Sequence, residues 1–330
     1  MLNVAVIGYG YWGPNLARNF GHAEAAELVE IADPSAERLA QAGTLFPHAR
    51  LSKNPLVVFN NPAIDAVVIA TPAGTHFDLV KAALGHGKHV FVEKPLALTV
   101  EEGEELVNLA AERERVLMVD HTYEYHPAIR LIEKMIADGE LGRILHASSV
   151  RLNLGIIRKD VNALWNLAPH DISIILRLLG EEPCRVDAMG GTFLQDDIED
   201  VVAVNLEFPS GRIAQVYVSW LSPRKTRELT VVGEKKMVVF DETLPEARVK
   251  VYDKGVDRQT EYESYGEYLT LRHGDIYCPQ VPSKEPLRMA VEDFVDAVET
   301  GRAPRSDGET ALKILRVLAR AQSSLDRRHA

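Results

Sequence analysis

The fold class of this chain can be predicted from one stretch at its start, Leu2-Asn3-Val4-Ala5-Val6-Ile7-Gly8-Tyr9-Gly10-Tyr11-Trp12-Gly13. Its first part, residues 2–7, is mostly apolar on both faces, which is typical of a strand buried inside a parallel sheet. Three glycines with the spacing GxGxxG follow at once, and a helical pattern runs from about Tyr11 to Phe20. The stretch therefore predicts a strand, a tight turn and a helix, which together begin an α/β fold.

Each glycine of this turn has its own predicted task. Gly8 allows the tight turn, Gly10 lets the backbone approach a pyrophosphate, and Gly13 lets the helix pack closely on the strand. The N–H groups at the start of the helix would then face the diphosphate of a dinucleotide. The alternative is a glycine-rich turn without a ligand, and the strand–helix context favours the dinucleotide site.

A carboxylate follows the second predicted strand, residues 28–32. Asp33 lies 20 residues after Gly13, where an acidic side chain can accept hydrogen bonds from both hydroxyls of a ribose. It would also repel a 2′-phosphate. Neither Pro34 nor Ser35 offers a cation to hold one, and Arg38 lies farther along the chain. NAD is therefore predicted rather than NADP. The alternative role of Asp33 is to cap the following helix, and one carboxylate can serve both purposes.

Buried strands continue to alternate with helices as far as about residue 121. Further strands are predicted at 66–70, 89–92 and 116–119. This alternation predicts a doubly wound parallel sheet in a first domain that spans residues 1–121. Strand candidates then follow one another without helices between them, as at 201–208 and 212–220. Residues 122–330 are accordingly predicted to form an α+β domain with an open, mostly antiparallel sheet.

Two side chains are candidates for chemistry. Lys94, in Glu93-Lys94-Pro95, follows a parallel strand, where open α/β sheets bind ligands, and its ammonium could stabilise a developing oxyanion. Pro169 is predicted as the first residue of a helix, which places His170 at the positive helix end as a neutral base. Asn166, four residues before His170, could reach the same spot. The alternative interpretations are a solvated surface lysine and a structural histidine.

Composition and charge exclude several classes of protein. The 330 residues include 37 Lys and Arg against 48 Asp and Glu, a net charge of −11 that disfavours a nucleic-acid binder. The sequence shows no membrane-spanning apolar run and no secretory signal, so a cytoplasmic protein is predicted. Cys184 and Cys278 lie far apart, and His76, His121 and His126 lack metal-ligand spacing. Neither a disulfide framework nor a metal site is expected.

In their order along the chain, these segments resemble the Gfo/Idh/MocA family of oxidoreductases over nearly the whole length. The resemblance rests on Gly8–Gly13, on Ala70-Thr71-Pro72 followed by His76, on Glu93-Lys94-Pro95, and on the segment Asn166–His170. In that family a Rossmann domain precedes an α+β domain whose sheet usually builds a homodimer or a homotetramer. Its members oxidise or reduce a carbohydrate hydroxyl with a nicotinamide cofactor.

The resemblance implies a role for each matching residue. Lys94 and His170 become the catalytic pair, and Asn166 positions the sugar. Many members have Asp at that position, and an amide cannot replace it in an Asp–His relay. The residues implied to line the cofactor are Gly8, Gly10, Tyr11, Trp12, Gly13, Asp33, Thr71, Pro72, His76, Glu93, Lys94 and, as a looser match, Arg158.

Within the family, the stretches Gly8–Asn15, Tyr123–Pro127 and Trp165–Asp171 resemble the nucleotide-sugar subgroup. The implied reaction is the NAD-dependent oxidation of C3 of UDP-N-acetylglucosamine, a step that often precedes a 3-aminotransferase. Reduction of a 3-ketodeoxysugar and oxidation of a cyclitol are the alternatives within redox chemistry. A non-catalytic NAD-binding sensor is the alternative of a different class.

Overall fold

The computed structural model describes residues 1–155, 157–159, 161–258 and 269–329. The chain folds into two compact units. The first unit consists of Met1–Tyr125 and Lys284–Arg316, and the second of His126–Ser283 and Val317–Ala330. None of the helices in the described ranges is long and apolar enough to span a membrane.

The first unit is built on a six-stranded parallel sheet with the strand order β3-β2-β1-β4-β5-β6. Its elements from the N-terminal segment are β1 (Leu2–Ile7), α1 (Gly13–Gly21), β2 (Ala26–Ala32), α2 (Ala36–Leu45), β3 (Arg50–Ser52), α3 (Pro55–Asn60), β4 (Ala66–Ile69), α4 (His76–Gly85), β5 (His89–Val92), α5 (Val100–Glu112) and β6 (Leu117–Val119). The chain order reverses beside β1, which is the doubly wound topology that the sequence predicts. That prediction is confirmed.

The second unit contains an eight-stranded sheet with the order β16-β13-β12-β11-β7-β10-β9-β8, and a separate pair, β14 and β15. The remaining elements of the chain are α6 (Pro127–Ala137), β7 (Ile144–Leu152), α7 (Ala163–Leu179), β8 (Arg185–Gly191), β9 (Val201–Glu207), β10 (Ile213–Ser219), β11 (Thr226–Gly233), β12 (Met237–Asp241), β13 (Val249–Tyr252), β14 (Gly255–Arg258), β15 (Leu269–Arg272), β16 (Ile276–Tyr277), α8 (Pro286–Thr300) and α9 (Gly308–His329). Only β7 and β10 pair in parallel among the described strands of this sheet. The predicted open, mostly antiparallel sheet is therefore confirmed.

Helix α8 belongs to the first unit, although it lies about 160 residues beyond the end of that unit's N-terminal segment. The Phe294 ring packs edge-on against the rings of Phe20 and Phe91, with centroid distances of 6.0 and 5.6 Å. The boundary predicted between residues 121 and 122 leaves this helix with the second domain. The structure instead returns Lys284–Arg316 to the first unit, because the apolar face of α8 completes the core on that side of the sheet.

Helix α7 begins earlier than predicted. It begins at Ala163, where the Asn162 side chain caps it by accepting a hydrogen bond from the backbone N–H of Trp165 at 3.1 Å. Pro169 therefore lies inside the helix and not at its first position, and that prediction was wrong. The buried residues Leu164 and Ala168 and the Asn162 cap extend the helix past the proline, whose missing N–H would otherwise favour a boundary there.

Candidate functional site

The glycine-rich turn leaves no room for side chains where β1 meets α1. Gly8 has a φ of +93°, and a Cβ there would lie 2.6 Å from the carbonyl oxygen of Ala70. A Cβ on Gly13 would collide with the carbonyl oxygen of Gly8. At Gly10, in contrast, the nearest atom to such a Cβ would be Nη1 of Arg38, at 3.7 Å. Backbone at Gly10 is thus open to a ligand, while Gly8 and Gly13 permit close packing.

The start of α1 fits a diphosphate. Trp12 occupies the N-cap position, no side chain caps the helix there, and its first turn contains no acidic residue. Helix N-termini of this kind bind anions through their N–H groups and the helix dipole. Tyr11 next to it is 85% exposed, and its ring stacks on that of Trp12 at a centroid distance of 6.4 Å. These residues can hold the pyrophosphate of a nicotinamide dinucleotide.

Asp33 lies at the carboxyl end of β2 and is 3% exposed. Its carboxylate accepts hydrogen bonds from the backbone N–H groups of Tyr9, at 2.7 Å, and Ser35, at 2.8 Å. The cap of α2 is the Ser35 hydroxyl, which accepts a hydrogen bond from the N–H of Arg38. Asp33 therefore ties the glycine-rich turn to the end of β2, where a ribose is expected in this fold.

Arg38 is a neighbour of this carboxylate that was not predicted from the sequence. Its Nη1 lies 3.6 Å from Oδ2 of Asp33, and more than half of its side chain is exposed. The prediction rested on the two residues that directly follow Asp33, whereas the first turn of α2 brings Arg38 back toward the carboxylate. The ribose end of the site thus holds an acidic and a basic group.

His76 joins two loops at the carboxyl edge of the sheet. Its Nδ1 lies 2.7 Å from the carbonyl oxygen of Pro95, and its Nε2 lies 2.9 Å from that of Thr71. The ring is only 1% exposed, and burial lowers the pKa of its imidazole. Both ring nitrogens face backbone carbonyls. His76 therefore acts by positioning the loop of Thr71 and Pro72 against the loop of Lys94.

Lys94 follows β5 and is partly exposed, and its peptide bond to Pro95 is cis. The neighbouring carboxyl of Glu93 is buried and hydrogen bonds to that of Asp120, which follows β6. Burial, together with the nearby Asp120 charge, raises the pKa of Glu93 well above its usual value. Asp120 was not predicted from the sequence, although its position at the carboxyl end of a parallel strand was the signal that could have found it.

In the second unit, Asn166 and His170 lie one turn apart on α7 and so occupy the same face of this helix. Oδ1 of Asn166 accepts a hydrogen bond from the indole Nε1 of Trp220 at 3.1 Å. Trp220 directly follows β10 and is 1% exposed, so this contact fixes the orientation of the amide. The role of Trp220 was not predicted from the sequence. Because Pro169 lies inside the helix, His170 is not at a positive helix end, and the predicted dipole effect on its imidazole was wrong.

A buried ion pair holds α7 on the sheet of the second unit. Arg151 of β7 donates to Asp171 through Nε at 2.7 Å and through Nη2 at 3.1 Å. The Ser149 hydroxyl donates to the same carboxylate at 2.6 Å. Such a bidentate pair fixes direction as well as distance. Asp171 therefore fixes the helix next to His170.

Arg158 lies in the segment between β7 and α7 of the second unit. Its backbone oxygen accepts a hydrogen bond from Nε2 of Gln195 at 2.9 Å. The cofactor contact that the resemblance implies for Arg158 stays a prediction. The described residues contain no group of three His, Cys, Asp or Glu side chains that could hold a metal ion.

Comparison with known proteins matches both parts of the chain to models of one family. Residues 2–121 match its NAD-binding Rossmann fold, described as an oxidoreductase family, and residues 129–239 match its C-terminal domain. UDP-N-acetylglucosamine 3-dehydrogenase of Acidithiobacillus ferrooxidans is 26% identical over 315 residues, which cover 95% of this chain and 94% of that protein. The NAD⁺-dependent scyllo-inositol 2-dehydrogenase of Bacillus subtilis is also 26% identical, over 91% of this chain and 87% of that protein.

Solved structures show the same fold. The structure of the Acidithiobacillus ferrooxidans enzyme superposes with a TM-score of 0.82 at 23% identity, and covers 99% of this chain and 98% of its own. These findings define an NAD(P)-dependent oxidoreductase that acts on CH–OH groups. The chain belongs to the Gfo/Idh/MocA family.

The packing at Gly13 predicts that Gly13→Ala weakens NADH binding about tenfold or more, since ~1.4 kcal/mol of added strain suffices for that loss. Gly74→Ala is the matched control, because a Cβ at Gly74 would have no atom within 4 Å. Isothermal titration calorimetry with NADH measures both variants, and circular dichroism checks that they fold. Equal affinities for Gly13→Ala and the unaltered protein would contradict the assignment of the dinucleotide to this turn.

Proposed function

We propose that this protein uses NAD to oxidise a hydroxyl of a nucleotide sugar, and that the hydroxyl is the one on C3 of UDP-N-acetylglucosamine. The main support for the proposal is that Asn166 and His170 lie on one face of α7, and that Trp220 orients the Asn166 amide. The match to the Acidithiobacillus ferrooxidans enzyme along 95% of the chain supports the choice of substrate.

In the proposed reaction, the imidazole of His170 accepts the proton of the C3 hydroxyl. Lys94 donates a hydrogen bond to the same oxygen and stabilises its alkoxide character as the carbon is oxidised. Asn166 positions the sugar ring. The bound nicotinamide supplies the acceptor for the hydride that leaves C3. The sugar thus loses one proton and one hydride and becomes the 3-keto sugar.

A second candidate is a cyclitol dehydrogenase, since inositol dehydrogenases are also among the relatives. The myo-inositol 2-dehydrogenase of Thermotoga maritima is 23% identical over the whole chain. A panel of UDP-sugars, deoxysugar nucleotides, scyllo-inositol and myo-inositol distinguishes the candidates by NADH absorbance. Turnover of UDP-N-acetylglucosamine above the cyclitols supports the proposal, and turnover of a cyclitol alone contradicts it. Hydride transfer to NAD from any of these substrates excludes a non-catalytic sensor.

We further propose that the protein is a homodimer or homotetramer that associates through the open face of the eight-stranded sheet. Met189, Ile213 and Tyr217 on that face are 59%, 51% and 41% exposed. Met189 and Tyr217 both pair with Ala203 of β9, which makes the apolar area continuous across three strands. Exposed apolar patches of this kind mark interaction sites. Light scattering after size exclusion gives the mass, and a monomer would contradict this proposal.

His170→Asn is expected to lower turnover by about 10²–10⁴-fold, the usual contribution of a placed general base. NADH binding should stay unchanged, because the turn that binds the dinucleotide is left intact. Stopped-flow measurement of NADH formation and titration of NADH provide the two readouts. The control is His273→Asn, which alters an exposed histidine of the second unit. Near-normal turnover of His170→Asn would show that another group takes the proton.

The carboxylate at the ribose end predicts that kcat/KM is higher with NAD than with NADP. In Asp33→Ser, NADP use should rise, because the repulsion of a 2′-phosphate is lost and Arg38 no longer has an acidic partner 3.6 Å away. The double variant Asp33→Ser with Arg38→Ala is the control, and should lose that gain. Equal use of the two cofactors by the unaltered protein would contradict the choice of NAD.

A further inference from the structure

Two carboxyl groups lie side by side next to Lys94 in the first unit. Glu93 follows β5 and Asp120 follows β6, and the backbone N–H of Asp120 donates to the carbonyl oxygen of Val92 at 2.8 Å. This contact aligns the two strand ends, and the two side chains hydrogen bond to each other. Asp120 is 1% exposed, and Oε1 of Glu93 is buried. The pair is thus shielded from water.

A hydrogen bond between two carboxyl groups requires that one of them carry a proton, because two buried carboxylates in contact repel each other strongly. The hydrogen bonds around each carboxyl group indicate which of the two carries the proton. Asp120 accepts hydrogen bonds from the Thr122 hydroxyl, at 2.7 Å, and from the indole Nε1 of Trp12, at 3.4 Å. The Glu93 carboxyl, by comparison, accepts from the backbone N–H of Lys94, and its Oε1 has no hydrogen-bond partner in the described part of the chain. Hydrogen bonds to a carboxylate favour its charged form, so the proton belongs on Glu93.

We propose that Glu93 is a neutral acid that donates to the Asp120 carboxylate, and that this pair is the counter-ion that keeps Lys94 a protonated hydrogen-bond donor. Glu93 and Asp120 act through Lys94 and are therefore positioning residues. The inference rests on the proposed function only for the role of Lys94 as hydrogen-bond donor to the reacting oxygen of the substrate. Two ionised carboxylates would leave one negative charge in excess beside the lysine. The shared proton instead leaves one anion for one cation.

The other groups around the pair fit this charge balance. Trp12 and Thr122, which donate to Asp120 from the glycine-rich turn and from beyond β6, are uncharged. On the side of α4, burial lowers the pKa of His76, whose two ring nitrogens contact the carbonyl oxygens of Pro95 and Thr71. These nitrogens are therefore directed at the backbone and not at the carboxyl pair. The negative charge of the pair is left to balance the ammonium of Lys94.

Two variants that differ by one charge test the proposal. Glu93→Gln replaces the neutral acid with a neutral amide that still donates to Asp120, so the pKa of the Lys94 amine should stay unchanged. Adding Asp120→Asn removes the remaining negative charge and should lower that pKa by about 1 or more. Asp65→Asn is the control, because it removes a carboxylate that precedes β4, at the opposite edge of the sheet.

Competitive acetylation of the whole protein with trace acetic anhydride across a pH series measures the pKa of Lys94 by peptide mass spectrometry. This readout needs no substrate, so it stays informative if UDP-N-acetylglucosamine proves to be the wrong sugar. The proposal is overturned if Glu93→Gln lowers the pKa of Lys94 as far as the double variant does, or if neither variant lowers it. With an alcohol that the enzyme oxidises, the alkaline limb of the kcat/KM profile should move to lower pH in the double variant alone.

Infrared spectroscopy tests the protonation of Glu93 directly, even if the double variant fails to fold. The difference spectrum between the unaltered protein and Glu93→Gln at pH 7 should contain the C=O stretch of a protonated carboxylic acid. A spectrum with carboxylate bands alone would overturn the proposal. Thermal unfolding of Glu93→Gln, followed by circular dichroism, verifies that the compared proteins are both folded.

Discussion

The close approach of α1 to β1 is the constraint on which the rest of the dinucleotide site depends. Because neither Gly8 nor Gly13 has a side chain, the helix begins directly against the strand. That position brings the N–H of Tyr9 to Asp33 and the indole of Trp12 to Asp120. One short turn therefore contacts both the residue expected to bind the ribose and the carboxyl pair next to Lys94.

The carboxyl edge of the parallel sheet carries the remaining parts of this site. His76 joins the loop after β4 to the loop after β5, and Asp120 joins the end of β5 to the end of β6. Lys94 lies between these two connections in sequence, in a loop that both of them anchor. In the proposed reaction, this anchoring of the loop would preorganise Lys94 to donate to the substrate oxygen, as electrostatic catalysis requires. In the second unit, the Arg151–Asp171 ion pair does the same for the helix that carries His170.

Short-range patterns in the sequence were sufficient to place candidate residues on the fold, whereas contacts between distant segments could not be predicted from them. The positions of the glycine turn, Asp33 and Lys94 directly after buried strands could be predicted, because each depends on the pattern of one strand and the residues that follow it. Trp220 could not, because its partner Asn166 lies 54 residues away and only the folded second unit brings them together. Phe294 of helix α8 likewise packs on Phe20 and Phe91, which lie more than 200 residues earlier in the chain. The start of α7 was missed since tertiary burial and the Asn162 cap outweighed the local cost of Pro169.

Lys94 and His170 are proposed to act on one hydroxyl of one sugar, and a structure of the protein with NADH and UDP-N-acetylglucosamine bound would show whether they do. In that complex, Nζ of Lys94 and a ring nitrogen of His170 should both lie within hydrogen-bond reach, about 2.6–3.2 Å, of the oxygen on C3. A complex in which the two side chains contact different atoms of the sugar, or in which either contacts none, would contradict it.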